Sequence, residues 1–373
     1  MKITQDIAMQ VPFNDLKRFY VAMADAMRET LERVASSGWY IMGSEHKAFE
    51  YEFAAYCGLP HAVAVANGTD ALELALRCVD CGPGDEVITA ANAGGYTSTA
   101  VLLVGATPVY ADIDPDMLTL SPDSVAAALG DRTKAVVVTH LFGQLGDVDA
   151  IRRTIGDRPV AVIEDCAQAH GAMAEGRRAG AWGDLGTFSF YPTKNLGGMG
   201  DGGAVVCGND DFAARLRTLR QYGWHDRYKS VTPGGRNSRM DEIQAAVLRM
   251  KLPYLDRWNE KRRAIVTRYR TAAEGTPLRI VHVPGLSYVG HLCVALHEER
   301  DTLRECFANR GIATAIHYPY LDPYQPAMKN RQWRAVDLSV SQHAVTRIVS
   351  LPCFPELTDR EIAHVCDVIR ACA

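Results

Sequence analysis

The sequence predicts an α/β protein with a large domain built on a mostly parallel sheet flanked by helices, and a smaller C-terminal α+β domain. Three observations carry this. Short apolar strand-like runs alternate with helical ones through the first two-thirds of the chain. A long polar-faced helical stretch then breaks the alternation. At 373 residues the chain is also long enough for a large core and a second, smaller one. The division is placed at 1–250 and 251–373.

The elements follow in order. HAVAVA (61–66) reads as a buried strand, and NGTDALELALRC as a helix with Asn67–Asp70 at its start. DEVITA (85–90) is a strand, followed by the helix YTSTAVLLVG. TPVYADI (107–113) is a strand, and SPDSVAAAL opens with Ser121 as N-cap and Pro122 at the first helical position. KAVVVTH (134–140), DVDAIRRTIG and RPVAVIED (158–165) continue as strand, helix and strand. This is a βα repeat with helices on both faces of the sheet. Ligands of such sheets bind at the carboxyl ends of the strands. That directs attention to Asn67–Asp70, Ala91–Tyr96, Asp112–Asp114, His140 and Glu164–Asp165. From Met240 to Arg270 one long helix is expected, interrupted at Pro253. Beyond it lie strands near 279–283 and 291–297, a helix over 301–310 and a last helix over 358–371.

Composition is that of a globular protein, and the formal charge of −4 with no Lys/Arg run argues against nucleic acid as partner. The start, MKITQDIAMQVPFND, has no signal pattern, and no apolar run is long enough to span a membrane. A cytoplasmic location is the expectation. The ten cysteines are scattered. Cys78 and Cys81 form one C-x-x-C without a second pair, read as reduced thiols at a helix end, and no metal site is expected.

The chemistry centres on SFYPTKNLGGMGDGGAVV (189–206), where Lys194 precedes glycines 197, 198, 200, 202 and 203. A P-loop places its glycines before the lysine. Gly198, Gly200 and Gly203 spell G-x-G-x-x-G, but a dinucleotide loop must open a helix, and here it runs into the strand-like AVVC. The remaining reading is a lysine confined by Phe188, Phe190, Tyr191 and Pro192, with glycines supplying positive φ angles and close backbone approach. A desolvated lysine has a lowered pKa and can form a Schiff base with a carbonyl cofactor. Pyridoxal 5'-phosphate requires four further features. Asp165 can face the pyridine nitrogen. Gly68 and Thr69, with Ser189, can hold the phosphate at a helix start. Gln168 can meet the ring hydroxyl, and Tyr96 can lie over the ring. Taken singly, Asp165 could be a loop acid and Asn67–Asp70 a simple cap.

With these residues in view, the chain resembles the sugar aminotransferases of the DegT/StrS type, within the fold-type I pyridoxal phosphate enzymes. The likeness runs from GWYIMGSEHKAFEYEFAAYCGLPHAVAVANGTDALELAL through EDCAQAHGA and SFYPTKNLGGMGDGGAVV to GRNSRMDEIQAA and GIATAIHYP. It implies that Lys194 carries the cofactor, with Asp165, Gln168, Gly68, Thr69 and Ser189 in the roles above. It also implies a homodimer in which Asn237 reaches the cofactor phosphate of the neighbouring subunit. Arg239, His317 and Tyr318 lie in the matching motifs and become candidate substrate residues. Tyr222, His225 and Lys229 precede GRNSRM and Arg236 is its first arginine; all four are either substrate contacts, at a diphosphate, or solvated loop charges.

The sequence departs from the family pattern at ANAGGYTSTA, where an aromatic followed by V/I-A-T is usual, and at HYPYLDPYQPA, where a His and a Gln are usual. The run LRQYGWHDRYKS resembles the branch acting on 3-keto nucleotide sugars more than the 4-keto branch. The implied reaction is transamination from L-glutamate to a nucleotide-linked keto-6-deoxy sugar, a dTDP-3-keto-6-deoxyhexose, with a 4-keto sugar or a keto-cyclitol as alternative acceptors. The related dehydratases carry histidine in place of the lysine. A nicotinamide enzyme would need its glycines at ANGTD, and a non-catalytic regulator would be expected to lack Lys194 or Asp165.

Overall fold

Apolar runs make the strands of a mixed sheet. The computed structural model describes residues 9–373; part of the stretch read as lacking a signal pattern, residues 1–8, lies outside the described residues. In chain order the strands of the two larger sheets begin with β1 (His61–Val65), β2 (Glu86–Ala90), β3 (Thr107–Ala111), β4 (Thr133–Thr139), β5 (Ala161–Asp165), β6 (Leu185–Ser189) and β7 (Gly203–Cys207). The chain next makes β8 (Arg279–Ile280) and β9 (Cys293–Leu296), then β10 (Arg334–Ala335) and β11 (Ile348–Leu351).

The large sheet has the order β1-β7-β6-β5-β4-β2-β3-β10. Strand β7 runs antiparallel to both β1 and β6, and every other pairing is parallel. Helices Gly68–Cys78, Tyr96–Leu103, Pro122–Ala128 and Val148–Ile155 connect successive strands, so the strands are buried nearly throughout. Three of these helices start where polar caps predict. Asn67, Ser121 and Asp147 accept from the amides of Asp70, Ser124 and Ala150.

The stretch after Met240 is helix Glu242–Lys251, a 3-10 turn Leu252–Tyr254 at Pro253, and helix Leu255–Ala273. Three N-terminal helices, Leu16–Ala22, Ala24–Ser37 and Ser44–Cys57, were not assigned from the sequence. The third is held at its positive end by Glu242, whose carboxylate accepts from the amides of Gly43 (2.6 Å), Glu45 (2.9 Å) and His46 (2.9 Å). Such a long-range cap is invisible to local periodicity.

The second sheet has the antiparallel order β8-β9-β11. Its core joins Val266, Tyr269, Phe307, Val365 and Ile369, and takes in Val11 from the chain's start. Thr358 and Glu361 form a capping box at the last helix, Asp359–Cys372. One short strand crosses the expected boundary at residue 250, since β10 pairs with β3 of the large sheet. Cys306 and Cys372 form a disulfide, a pairing not foreseen from the sequence, while Cys78 and Cys81 are free and buried.

Candidate active site

Strand β6 delivers Ser189 and, five residues on, Lys194 to the carboxyl end of the sheet. The loop between is tied back by Lys194 N to Tyr191 O (2.8 Å) and by Gly198 N to Phe190 O (2.7 Å). Its glycines serve close approach alone. None of Gly197, Gly198, Gly200, Gly202 and Gly203 has a positive φ, contrary to the expectation from sequence. A side chain on Gly197 would strike the carbonyl of Pro192, and one on Gly203 the carbonyl of Asn67. Gln244 and Lys251 close the loop from outside, through Met199 N (2.8 Å) and Gly197 O (2.6 Å). The glycines then lead into β7, not into a helix, so no dinucleotide loop exists here.

Opposite this loop, helix Gly68–Cys78 begins directly after β1. Gly68 lies against Ser189, so three hydrogen-bonding groups expected to hold a phosphate are adjacent in space. They line a cavity of about 310 Å³ together with Tyr96, Asp165, Gln168 and Lys194. Seven of the eight residues expected to bind the cofactor therefore meet. The eighth, Asn237, is exposed and accepts from Arg239 Nε (2.8 Å).

Asp165 ends β5 and is buried, with Oδ1 accepting from Ala167 N (3.1 Å). Burial raises its pKa, opposed by the Ala167 amide and by the charge of Lys194. Burial lowers the Lys194 amine to about 8, with Asp165 working the other way. A lysine that is easily deprotonated and a carboxylate that lacks enough donors both suit an organic cation-forming ring between them.

Behind Asp165, His140 Nδ1 accepts from Gly146 N (3.0 Å), so its Nε2 donates to Glu164 Oε2 (2.7 Å). Glu164 also accepts from the amides of Gly180, Trp182 and Gly183. Burial alone would raise its pKa, but His140 and these amides hold it below the usual carboxylate range. The fold thus assembles a group the sequence did not reveal, since ligand atoms of His140, Glu164 and Cys166 lie within 4.8 Å of one another. Its lone pairs are already engaged by backbone amides, and the group reads as a structural brace beneath Asp165.

Gln168 is held on both sides. Its Oε1 accepts from Phe142 N (2.6 Å), and its Nε2 donates to Tyr318 OH (2.9 Å). Tyr318 meets Tyr96 edge to face, with centroids 6.1 Å apart. Beyond this wall lies a second cavity of about 270 Å³ that shares Lys194, Tyr96 and Gln168 with the first. His317, whose Nδ1 lies 2.9 Å from Ser350 Oγ, lines it, as do Tyr191, Arg262 and His291. These last three were not singled out as site residues. Tyr191 is read from the sequence only as confining Lys194; Arg262 and His291 give no local signal. His291 donates from Nδ1 to Asn195 Oδ1 (2.9 Å), because Asn195 Nδ2 is spent on Asn259 Oδ1 (2.8 Å).

The loop before GRNSRM stands apart. Tyr222, His225 and Lys229 are exposed on or beside a short hairpin and line neither cavity. Arg236 is ion-paired with Glu73 and with Asp70 (3.3 Å) at the start of the phosphate-side helix. Arg239 stays with Asn237.

A lysine and a carboxylate flanking one cavity, with an anion cup of helix start and serine, define a pyridoxal phosphate-dependent enzyme. The chain belongs to the DegT/DnrJ/EryC1/StrS aminotransferase family, which it matches over residues 22–370. It is 42% identical to the dTDP-3-amino-3,4,6-trideoxy-alpha-D-glucose transaminase of Streptomyces venezuelae, over 97% of this chain and 96% of that one. The crystal structure of S. venezuelae DesV in complex with a ketimine intermediate superposes with a TM-score of 0.93, at 42% identity, covering 97% and 98% of the two chains. NtdA from Bacillus subtilis, solved with bound cofactor PMP, superposes with a TM-score of 0.89 at 28% identity, over 98% of this chain and 85% of that one. Among the described residues no helix is long and apolar enough to cross a membrane.

Proposed function

We propose that this aminotransferase moves the amino group of L-glutamate to the 3-keto carbon of a dTDP-linked 6-deoxyhexose, releasing 2-oxoglutarate and the amino sugar. The observation that carries the reading is the shared cavity of Lys194 and Asp165, taken with the relatives' names. When bound, the cofactor supplies an aldehyde for the amino group and a ring that draws off electrons. Gly68, Thr69 and Ser189 would hold its phosphate, Asp165 would keep a proton on the ring nitrogen, Gln168 would meet the ring hydroxyl, and Tyr96 would lie over the ring. The Lys194 amine would serve as the general base that takes the proton from the amino-acid α-carbon and as the general acid that returns it, with the roles reversed for the sugar.

The working unit of this reading is a cytoplasmic homodimer. Asn237, exposed in the single chain, serves the cofactor phosphate of the other subunit. Trp39, Tyr40 and Met199 are large exposed apolar side chains that a second copy would cover. The hairpin residues Tyr222, His225 and Lys229 then approach a nucleotide diphosphate across that interface.

The test is to incubate purified protein and pyridoxal phosphate with L-glutamate and, separately, 3-keto and 4-keto dTDP-6-deoxyhexoses and a keto-cyclitol. Mass spectrometry and NMR of the products identify the acceptor and the aminated carbon. Amination of the 4-keto sugar or the cyclitol alone overturns the proposed substrate.

A further inference from the structure

Asp322 is fully buried, yet among the described residues it has no ion-pair partner. It lies where HYPYLDPYQPA departs from the family pattern, and the structure sets it against the other departure, ANAGGYTSTA. Its amide donates to Ala91 O (2.7 Å). Its Oδ2 accepts from Ser98 Oγ (2.9 Å), and Ser98 Oγ accepts in turn from Tyr110 OH (3.0 Å).

The amides of Gly94 and Gly95 favour the charged carboxylate electrostatically, although Oδ1 makes no hydrogen bond of normal geometry. Both glycines take left-handed φ angles, +82° and +85°, so their amides can turn toward one anion. Burial nevertheless raises Asp322 to about 7, against Ser98 and these amides. A loop contact could be made by an uncharged side chain without the cost of burying an ionisable group.

What the carboxylate holds is the wall beside Lys194. Tyr96 follows the Gly94–Gly95 turn and starts the helix that contains Ser98. Tyr318 lies four positions before Asp322, and its ring is pressed on Gly94, where a Cβ would come within 2.8 Å of it. Tyr318 in turn holds Gln168 (2.9 Å); Tyr96 lines both cavities, and Tyr318 lines the second.

We propose that Asp322 is a positioning residue for the transamination: by holding Ser98 through its carboxylate and the start of the Ala91–Tyr96 loop through its amide, it fixes Tyr96 and Tyr318 as one wall and so sets how Gln168 and Tyr96 meet the cofactor ring. The inference rests on the proposed cofactor site but on neither the sugar nor the nucleotide.

The experiment uses holoenzyme of the wild type, Asp322→Asn, Ser98→Ala and the double variant. Three quantities are read: the position of the cofactor's visible band, cofactor retained after dialysis, and the rate of band loss with saturating L-glutamate and no sugar. Asp322→Asn is expected to shift the band and slow the glutamate half-reaction about tenfold or more. Retention stays within about twofold, since the phosphate groups are untouched. Ser98→Ala shows the same pattern more weakly, and the double variant resembles Asp322→Asn alone because both act through one clamp.

Unchanged band and rate in folded Asp322→Asn overturn the proposal. Parallel losses of retention, melting temperature and rate in both single variants also overturn it, as a purely structural role. If Asp322→Asn does not fold, an unaltered band and rate in Ser98→Ala is the overturning result. Wild type that reacts with glutamate but with no keto sugar refutes the acceptor assignment and leaves this measurement readable. Should wild type ignore glutamate, band position alone decides.

Discussion

Gly68 and Ser189 touch so closely that a Cβ on the glycine would sit 2.6 Å from that of the serine. Replacing Gly68 with alanine must push the first turn of helix Gly68–Cys78 away from β6. Overpacking of this kind costs about 1–3 kcal/mol. Gly68→Ala is expected to lose cofactor on dialysis at least about tenfold more readily, a loss near the lower end of that range, and to melt at lower temperature in apo form. Unchanged retention would mean that the phosphate lies elsewhere.

Lys194 should react as a free amine at lower pH than an ordinary lysine. Its amine is pushed down to about 8 by burial, so the unprotonated form is available from about that pH upward. The rate at which apo-protein takes up pyridoxal phosphate should rise through pH 8 and then level, read from the growing visible band. A midpoint near that of a solvated lysine contradicts the desolvated setting, and Lys194→Ala should yield no adduct fixed by borohydride.

Glu164 braces Asp165 from behind through His140 and three amides. Its folded pKa is depressed, so the stability it contributes is present above its unfolded value near 4.5 and is lost as pH falls through the lower folded value. Glu164→Gln should destabilise the chain by about 3 kcal/mol at neutral pH. It should also remove that part of the acid limb from a denaturation curve taken at successive pH values. Equal stability of the variant at pH 7 would show the brace to be idle.

Arg236 separates two roles. Its ion pairs with Glu73 and Asp70 support the helix that starts the phosphate cup, and its side chain is 41% exposed. Arg236→Ala should cost about 1 kcal/mol or less, loosen cofactor retention a few-fold and leave the KM for keto sugar within about twofold. A large rise in that KM with normal retention would return Arg236 to the substrate.

Much of the large sheet was readable because each strand is a short apolar run bounded by caps whose partners lie within three residues. Lys194, Asp165 and the Gly68–Thr69 turn were readable for a similar reason, as each sits at the end of one recognisable element. The N-terminal helices escaped because their polar faces obscure the pattern and because Glu242, which caps one of them, is far off in sequence. His291 and Arg262 come to Lys194 only through the packing of the C-terminal region, and no spacing in a single chain announces that. The glycines after Lys194 were correctly tied to a tight loop, but the reason is crowding by Asn67 and Pro192 carbonyls, which φ-based reasoning could not distinguish from a left-handed turn.

The pairing of β10 with β3 has a consequence for synthesis on the ribosome. The exposed side of β3 gains its partner only when residues Arg334–Ala335 have emerged, so a nascent chain that already holds the lysine and the phosphate cup still presents an open sheet edge. Val11 likewise waits for Ile312. A premature stop near residue 330 would therefore release a chain with most of its catalytic groups in place and an unpaired parallel strand beside them, a species prone to self-association.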